Sequence, residues 1–417
     1  METADVVIIG GGVAGLCCAK WLCQAGTECR LFEASNEVGG RVGSDALDGF
    51  ILDRGFQVLL NAYPEAQAIL DYKALQLKAF EPGALIRYRG KFRRLADPWR
   101  RPQQALSTAF SPAATLTDKL RMARLRRHVC SGTLADLYER QERPTLVALR
   151  QSGFSERIIR AFFRPFLGGV FLEADLATSS RMFEFVFRMF SSGDAALPAA
   201  GMRAIPEQIA SQLPDGVVAL GTPVKAISGR QVELANGNQV KAKAVVIATE
   251  EPAAGKFLGR KADVVGRSVT CIYYAAQQPP IEEPILVLNG DGIGPINNLC
   301  VPSQVCTNHA PAGKALISVT VIGDPKLSDK HLAAGVQSQL IDWFGKEAEA
   351  WQTLKTYRIR YALPRQEPPA LSPVEKPADV GDGIFICGDH RDIGSLNGAM
   401  ASGRRAALAV IQYLSHT

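Results

Sequence analysis

The chain has 417 residues, 47% of them apolar and 21% charged, the balance of an ordinary globular protein with room for roughly two to three domains. This composition excludes a disordered chain, a collagen-like fibre and a small disulfide-stapled module. The net charge of +6 is uneven: from 87 to 127 twelve Lys/Arg stand against Asp97 and Asp118, a local +10 that leaves −4 for the remainder.

Met1 to Asp5 carry two acids and lead straight into Val6-Val7-Ile8-Ile9. A secretory signal needs a basic start and a longer apolar stretch, so a cytoplasmic chain is expected. No apolar run reaches the roughly 18 residues of a membrane-spanning helix. Residues 6–9 read as a short buried strand, 10–15 as a glycine turn, 13–25 as a helix closed by Gly26, and 29–33 as a second strand, the opening of a parallel βαβ unit. Cys17, Cys18 and Cys23 fall on that helix as small apolar side chains. Nine cysteines, an odd number without CxxC spacing, point to reduced thiols.

From 84 to 192 the pattern predicts mostly helix, including the basic stretch. Strands follow at 217–220, 224–227, 231–234 and 239–247, with Asn236-Gly237 as a hairpin turn. A second strand-rich region spans 268–361, with one helix near 331–344, and 364–377 is a proline-rich connector. The chain ends as it began, with a strand at 384–387, a glycine turn and a helix at 398–414. The expected fold is therefore α/β, a doubly wound parallel sheet in a discontinuous domain made of 1–80, 195–265 and 365–417. Residues 81–194 and 266–364 would form an inserted substrate domain of mixed sheet plus helices.

Gly10-Gly11-Gly12-Val13-Ala14-Gly15 fits GxGxxG after a strand and before a helix. Gly10 permits the tight turn, Gly12 admits backbone close to a pyrophosphate, and Gly15 lets helix pack on strand. Phosphates would sit at the helix N-terminus, where unpaired N–H groups favour negative charge. Glu33, at the end of the second strand, can take both hydroxyls of an adenosine ribose and would repel a 2′-phosphate.

Glu33 runs on through Ala34 to Gly39-Gly40-Arg41, and here the sequence resembles the flavin-dependent amine oxidase superfamily, which includes phytoene desaturases and protoporphyrinogen oxidase. The resemblance implies noncovalent FAD, with Gly39, Gly40 and Arg41 along its diphosphate and ribityl chain. Glycines admit close backbone there, and a guanidinium offers a fork of donors to phosphate. Asp53-Arg54-Gly55-Phe56-Gln57 resembles the family's D-x-G segment beside the isoalloxazine ring, with Phe56 bulkier than usual. Leu197-Pro198-Ala199-Ala200-Gly201-Met202 resembles the P-x-G-G-M return into the cofactor domain. By the same resemblance Val224 meets the adenine and Ala248 belongs to a second strand-to-turn motif. The sharpest match is the strand ending in Gly388-Asp389, followed by Gly394-Ser395-Leu396-Asn397-Gly398-Ala399. The family's matching acid binds the ribityl or phosphate end, and the helix opening beyond it aims its N-terminus at flavin N1 and the C2 carbonyl. A helix N-terminus there stabilises the charge gathered on reduction.

Gly290-Asp291-Gly292-Ile293-Gly294-Pro295 lacks the spacing of a second dinucleotide site, so re-oxidation by O₂ or a quinone is expected. The five histidines are scattered, no cluster has metal-ligand spacing, and His390 reads as structural despite its place beside Asp389. Tyr357 to Pro364 resembles the family's last substrate-domain strand. Alternation puts Tyr357, Ile359 and Tyr361 on one face, with Tyr361 a candidate substrate-side wall. No catalytic base is identifiable, and no lysine matches the one many amine oxidases hold near flavin N5. Residues 118–127 set apolar side chains among five basic ones, so 87–128 offers a face for an anionic membrane surface. Nucleic acid is not expected, for want of stacking aromatics among the basic residues. Three functions follow: hydride transfer from a substrate C–H to flavin N5 in an amine oxidase; the same chemistry on a lipophilic isoprenoid or tetrapyrrole; or a non-redox binding protein like the GDP-dissociation inhibitors.

Overall fold

Consecutive valines and isoleucines make a strand where both faces are covered, and Val6, Val7 and Ile8 are fully buried at the centre of a parallel sheet. In the computed structural model residues 2–97, 100, 112–260 and 265–416 are described; 98–99 and 101–111, part of the basic segment, lie outside the described residues. Glu2–Ile9 pairs in parallel with Cys29–Phe32 on one side and Gln239–Ile247 on the other. Val218–Ala219 continues the parallel order at one edge, shorter than the 217–220 expected, and Ile384–Ile386 continues it beyond Gln239–Ile247. Gln231–Leu234 and Val224–Ser228 extend this sheet antiparallel, turning at Gly237.

The helices Val13–Gln24 and Leu396–Ser415 cover one face together. They approach so closely at Gly403 that a Cβ there would lie 2.3 Å from the Ala14 carbonyl oxygen. Leu16, Cys17, Cys18 and Leu22 fill the space between helix and sheet with no exposed surface.

A second sheet has seven strands in the order Gln352–Leu363, Arg267–Ala276, Ala315–Ile322, Asn298–Cys300, Leu286–Asn289, Gly83–Tyr88 and Lys91–Ala96. All its pairings are antiparallel except Leu286–Asn289 with Gly83–Tyr88. The helix Asp329–Phe344 packs on one face through Leu332, Val336, Leu340 and Trp343, a helical stripe that meets Ile272, Tyr274 and Ile317. The other face looks toward the first sheet.

Helix from residue 84 onward is corrected by this sheet, because Gly83–Tyr88 and Lys91–Ala96 form a hairpin. Arg89 and Gly90 both take positive φ, 54° and 69°, the geometry of a two-residue turn matched to strand twist. Both amides are held by the Asp291 carboxylate, at 2.6 and 3.1 Å. The alternation was masked by arginines, while Ala84, Ile86 and Ala96 carry the buried face. Among the described residues after this hairpin, helices run from Leu116–Cys130 to Ser180–Ser192. Among them Ile159–Phe163 winds as a π-helical turn, which shifts the side-chain register of the helix that runs on as Arg164–Phe171.

Gly403→Ala forces a methyl into the Ala14 backbone, so it is expected to lower stability by about 1–3 kcal/mol and to show as an earlier midpoint in urea unfolding. An unchanged midpoint would mean the two helices can separate at no cost.

Candidate functional site

A cavity of about 1010 Å³ opens between the two sheets, its floor made by the turns at the C-terminal ends of the parallel strands. This is where open parallel sheets bind ligands. Gly10 follows the strand with φ +110°, and a Cβ on Gly15 would lie 2.0 Å from the Gly10 carbonyl oxygen, so the helix rests directly on the turn. A Cβ on Gly12, by contrast, would meet nothing within 4 Å. Gly12 is also the N-cap of Val13–Gln24 without a side-chain cap, which leaves the first-turn N–H groups of Val13 and Ala14 at the cavity. The Gly39 N–H donates to the Gly11 carbonyl at 2.8 Å, which brings Gly39 and Gly40 alongside the turn.

Glu33 is fixed at the cavity edge by its own acceptors. Its Oε2 accepts from the Gly11 N–H at 2.6 Å, and its Oε1 accepts from the N–H and Oγ of Ser35, both at 2.8 Å. Each oxygen keeps lone-pair capacity for a hydroxyl donor. Across the cavity Arg41 Nη2 donates to Asp389 Oδ1 at 2.6 Å, and Nη1 donates to the Ala362 carbonyl at 2.8 Å. Gln57 Nε2 donates to the carbonyls of Arg41 and Arg54, which ties the segment around Gly55 and Phe56 to the arginine. Ala34, Gly55, Phe56, Val224, Ala248, Gly388 and the helix-opening residues Ser395, Leu396 and Ala399 also line the cavity. Ser395 Oγ accepts from the Gly398 N–H at 3.0 Å and caps Leu396–Ser415.

Two expected contacts point elsewhere. Asn397 is buried behind the helix start, where its Oδ1 accepts from the Glu65 N–H at 3.1 Å and caps a neighbouring turn. Tyr361 is not a lining residue. Its ring lies against the Arg41 guanidinium, 5.5 Å from Cζ to the ring centroid, and its hydroxyl donates to Glu251 Oε2 at 3.1 Å. The face it was expected to present to substrate is supplied by Ile359, two residues earlier, together with Ala362 and Leu363.

Of the far wall, only Phe56 was singled out from sequence. Phe162 and Phe166 stack with centroids 5.2 Å apart, and Phe166 meets the edge of Phe190 at 5.2 Å. Phe56 and Phe80 form an edge contact at 6.2 Å, and Phe187 also lines the space. The available signal was aromatic spacing on helices, Phe162/Phe166 at i,i+4 and Phe187/Phe190 at i,i+3, a pattern that a core face shares. The polar residues of this end include Asn298, Lys119, Glu81 and Asp97, with Arg94 3.5 Å from Glu81 and Arg126 2.7 Å from Asp97. Among the described residues no group of His, Cys, Asp and Glu is arranged to hold a metal ion.

His390 is buried, and among the described residues neither ring nitrogen has a hydrogen-bond partner. Burial lowers its pKa to about 4, with Asp389 pulling the other way. Burial raises nearby Asp392 to about 6 against the pull of Arg405. As pH falls below the ordinary histidine value of 6.5 the unfolded chain takes the His390 proton first, so stability is lost from there down to about pH 4. Asp392 acts with the opposite sign: the folded state takes its proton first between about 6 and 3.8, which favours folding. His390→Asn is therefore expected to make the protein gain stability on acidification through this window, by up to about 1.4 kcal/mol per pH unit relative to the parent. Urea unfolding at pH 7, 6 and 5 measures it, and parallel curves would assign no role to His390 burial.

Curated relatives match short stretches. The chain is 40% identical over 78 residues to putrescine oxidase of Kocuria rosea, which covers 18% of this chain and 16% of that protein. It is 37% identical over 73 residues to protoporphyrinogen oxidase 2 of Arabidopsis thaliana, covering 18% and 14%. The chain thus matches less than a fifth of the length of either relative. In fold the likeness spans the whole chain: a protoporphyrinogen oxidase-like protein of Exiguobacterium sp. 255-15 superposes with a TM-score of 0.73 over 100% of both chains at 19% identity. The profile of flavin containing amine oxidoreductases matches residues 13–411, a span that holds the helix of the glycine turn, Glu33, Arg41 and Asp389. With that match across nearly its whole length, the chain belongs to the flavin containing amine oxidoreductase family.

Proposed function

We propose that this protein is an oxidoreductase that binds FAD noncovalently and removes a hydride from a C–H of a lipophilic substrate. The observation that carries the substrate class is the aromatic wall opposite the cradle, built from Phe56, Phe80, Phe162, Phe166, Phe187 and Phe190. Such a wall binds by excluding water from apolar surface, and each buried aromatic is worth about 1.5–3 kcal/mol. The acids at that end do not wait for an ammonium group, since Glu81 and Asp97 each face an arginine.

Support for the cofactor comes from the donor set. The open Gly12, the uncapped helix start and Glu33 suit a pyrophosphate and an adenosine ribose, while Arg41 and Asp389 face the middle of the cavity. Bound FAD supplies a two-electron acceptor, so a substrate losing hydride and proton gains a C=C or C=N bond, and O₂ or a quinone then takes the electrons. The chain's residues hold the reactants: Gln57 secures the Gly55–Phe56 turn through Arg41, and the apolar wall keeps water out. A second reading, oxidation of an amine, is favoured by the match to putrescine oxidase, a relative named for an amine.

Three experiments test this. Glu33→Ala removes charge-assisted hydrogen bonds worth about 1.5–3 kcal/mol, so FAD retention after dilution and gel filtration is expected to fall about tenfold or more; full occupancy would refute the ribose assignment. Under anaerobic conditions, isoprenoids or porphyrinogens presented in detergent should bleach the flavin band where an amine and amino-acid pool does not. Phe190→Ser should raise the KM for the bleaching substrate about tenfold without changing FAD content. Bleaching by the amine pool alone would replace the lipophilic reading with the amine one.

A further inference from the structure

The helix Leu116–Cys130 has two working sides. Its inner side lines the cavity with Lys119, Met122 and Arg126 and buries Leu125 and Val129. Its outer side carries Leu116, Leu120, Arg124 and Arg127, which at i, i+4, i+8 and i+11 fall on one stripe. Leu116 is 73% exposed and Leu120 66% exposed. Nine large hydrophobic residues are exposed among those described, and these two are the only pair standing one turn apart on a single helix. Arg124 and Arg127 are exposed, and no ion pair is formed by either among the described residues. The helix's one acid, Asp118, is buried and turned inward, accepting from the N–H and Oγ of Ser155 at 2.9 and 2.6 Å.

The stripe is held rigidly. A capping box joins Thr115 and Asp118 at its start, and Arg126 bridges Asp97 and the Ser191 carbonyl at 2.7 and 2.9 Å. Two leucines lifted into solvent are followed along the same face by two cations and no acid, and neither arginine is ion-paired among the described residues.

We propose that this stripe docks on an anionic lipid bilayer, the leucines entering the boundary between headgroups and acyl chains and Arg124 and Arg127 meeting the lipid phosphates. Apolar insertion and electrostatic attraction add at such a surface, and each basic residue near it contributes severalfold in affinity. A bilayer suits the place as well as the charge, because the helix that would lie on the lipid is the same one whose inner side lines the aromatic cavity. A substrate dissolved in acyl chains would then pass around one helix rather than through water. The proposal rests on the lipophilic reading of the cavity for this route alone, and not for the docking.

The test uses the FAD-loaded protein and no substrate. Co-sedimentation is measured with vesicles of phosphatidylcholine alone and of phosphatidylcholine mixed with phosphatidylglycerol, at low and high salt. The expected result is binding to the mixed vesicles only, weakened by salt, and reduced about tenfold or more in both Leu116→Ser/Leu120→Ser and Arg124→Glu/Arg127→Glu. Flavin content and melting temperature of both variants should match the parent, because all four side chains are exposed. Equal binding to the two vesicle types, or undiminished binding by the variants, overturns the proposal. So does a dimer in light scattering that the leucine variant returns to monomer while vesicle binding is absent, which would assign the face to a second copy. Because no turnover is measured, loss of vesicle binding leaves the lipophilic substrate standing, and a failed bleaching experiment leaves the docking standing.

Discussion

Backbone must touch backbone at the end of the central strand, and most of the cofactor end follows from that constraint. The helix Val13–Gln24 sits on the Gly10 carbonyl at Gly15, and Leu396–Ser415 sits on the Ala14 carbonyl at Gly403. Gly39, at φ +114°, bends back to donate to Gly11. None of these approaches leaves room for a side chain, so glycine is required at each. With the turn pressed flat, the first-turn amides, the Glu33 carboxylate and the Arg41–Asp389 pair all reach one volume.

The other end of that volume is built by different physics. The seven-stranded sheet packs one face on Asp329–Phe344, and Val269, Leu286, Asn298 and Ile359 are among the residues it brings to the cavity. The helices between Leu116 and Ser192 close the side with rings set among Ile158, Val170, Leu172 and Val186. The stacked and edge-on rings hold one another in place through mutual packing. Polar atoms placed there are engaged with one another, Arg126 with Asp97 and Ser191, Asn298 with Thr320. The result is one cavity that joins the glycine turn, Glu33 and Arg41 to the aromatic residues of its far wall.

Residue-level reading succeeded or failed for identifiable reasons. The first strand, the glycine turn and the hairpin around Gly237 were legible because each is a local pattern with a local cause. The strand Gly83–Tyr88 was missed because arginines on its half-exposed face imitated the charged side of a helix. Tyr361 was misplaced because alternation gives a side, not a neighbour: the arginine that covers its ring comes from 320 residues earlier in the chain. Asn397 lies within a motif of cavity residues, yet its side chain turns to cap a helix that only the fold brings near.

By itself the sequence determined the glycine turn and the acid beside it, since glycine spacing, a terminal acid and a following helix act over a few residues and need no distant partner. Family membership came with it, because the same contiguous blocks carry the match. The aromatic cavity and the exposed stripe of Leu116–Cys130 were decided by tertiary structure alone. Phe56, Phe80, Phe162 and Phe190 sit in four separate segments, and a phenylalanine at helical spacing reads the same whether it faces a core or an opening. Which face of a basic helix meets the protein is likewise set by what packs against it, and here Asp97, Ser155 and Ser191 made that choice.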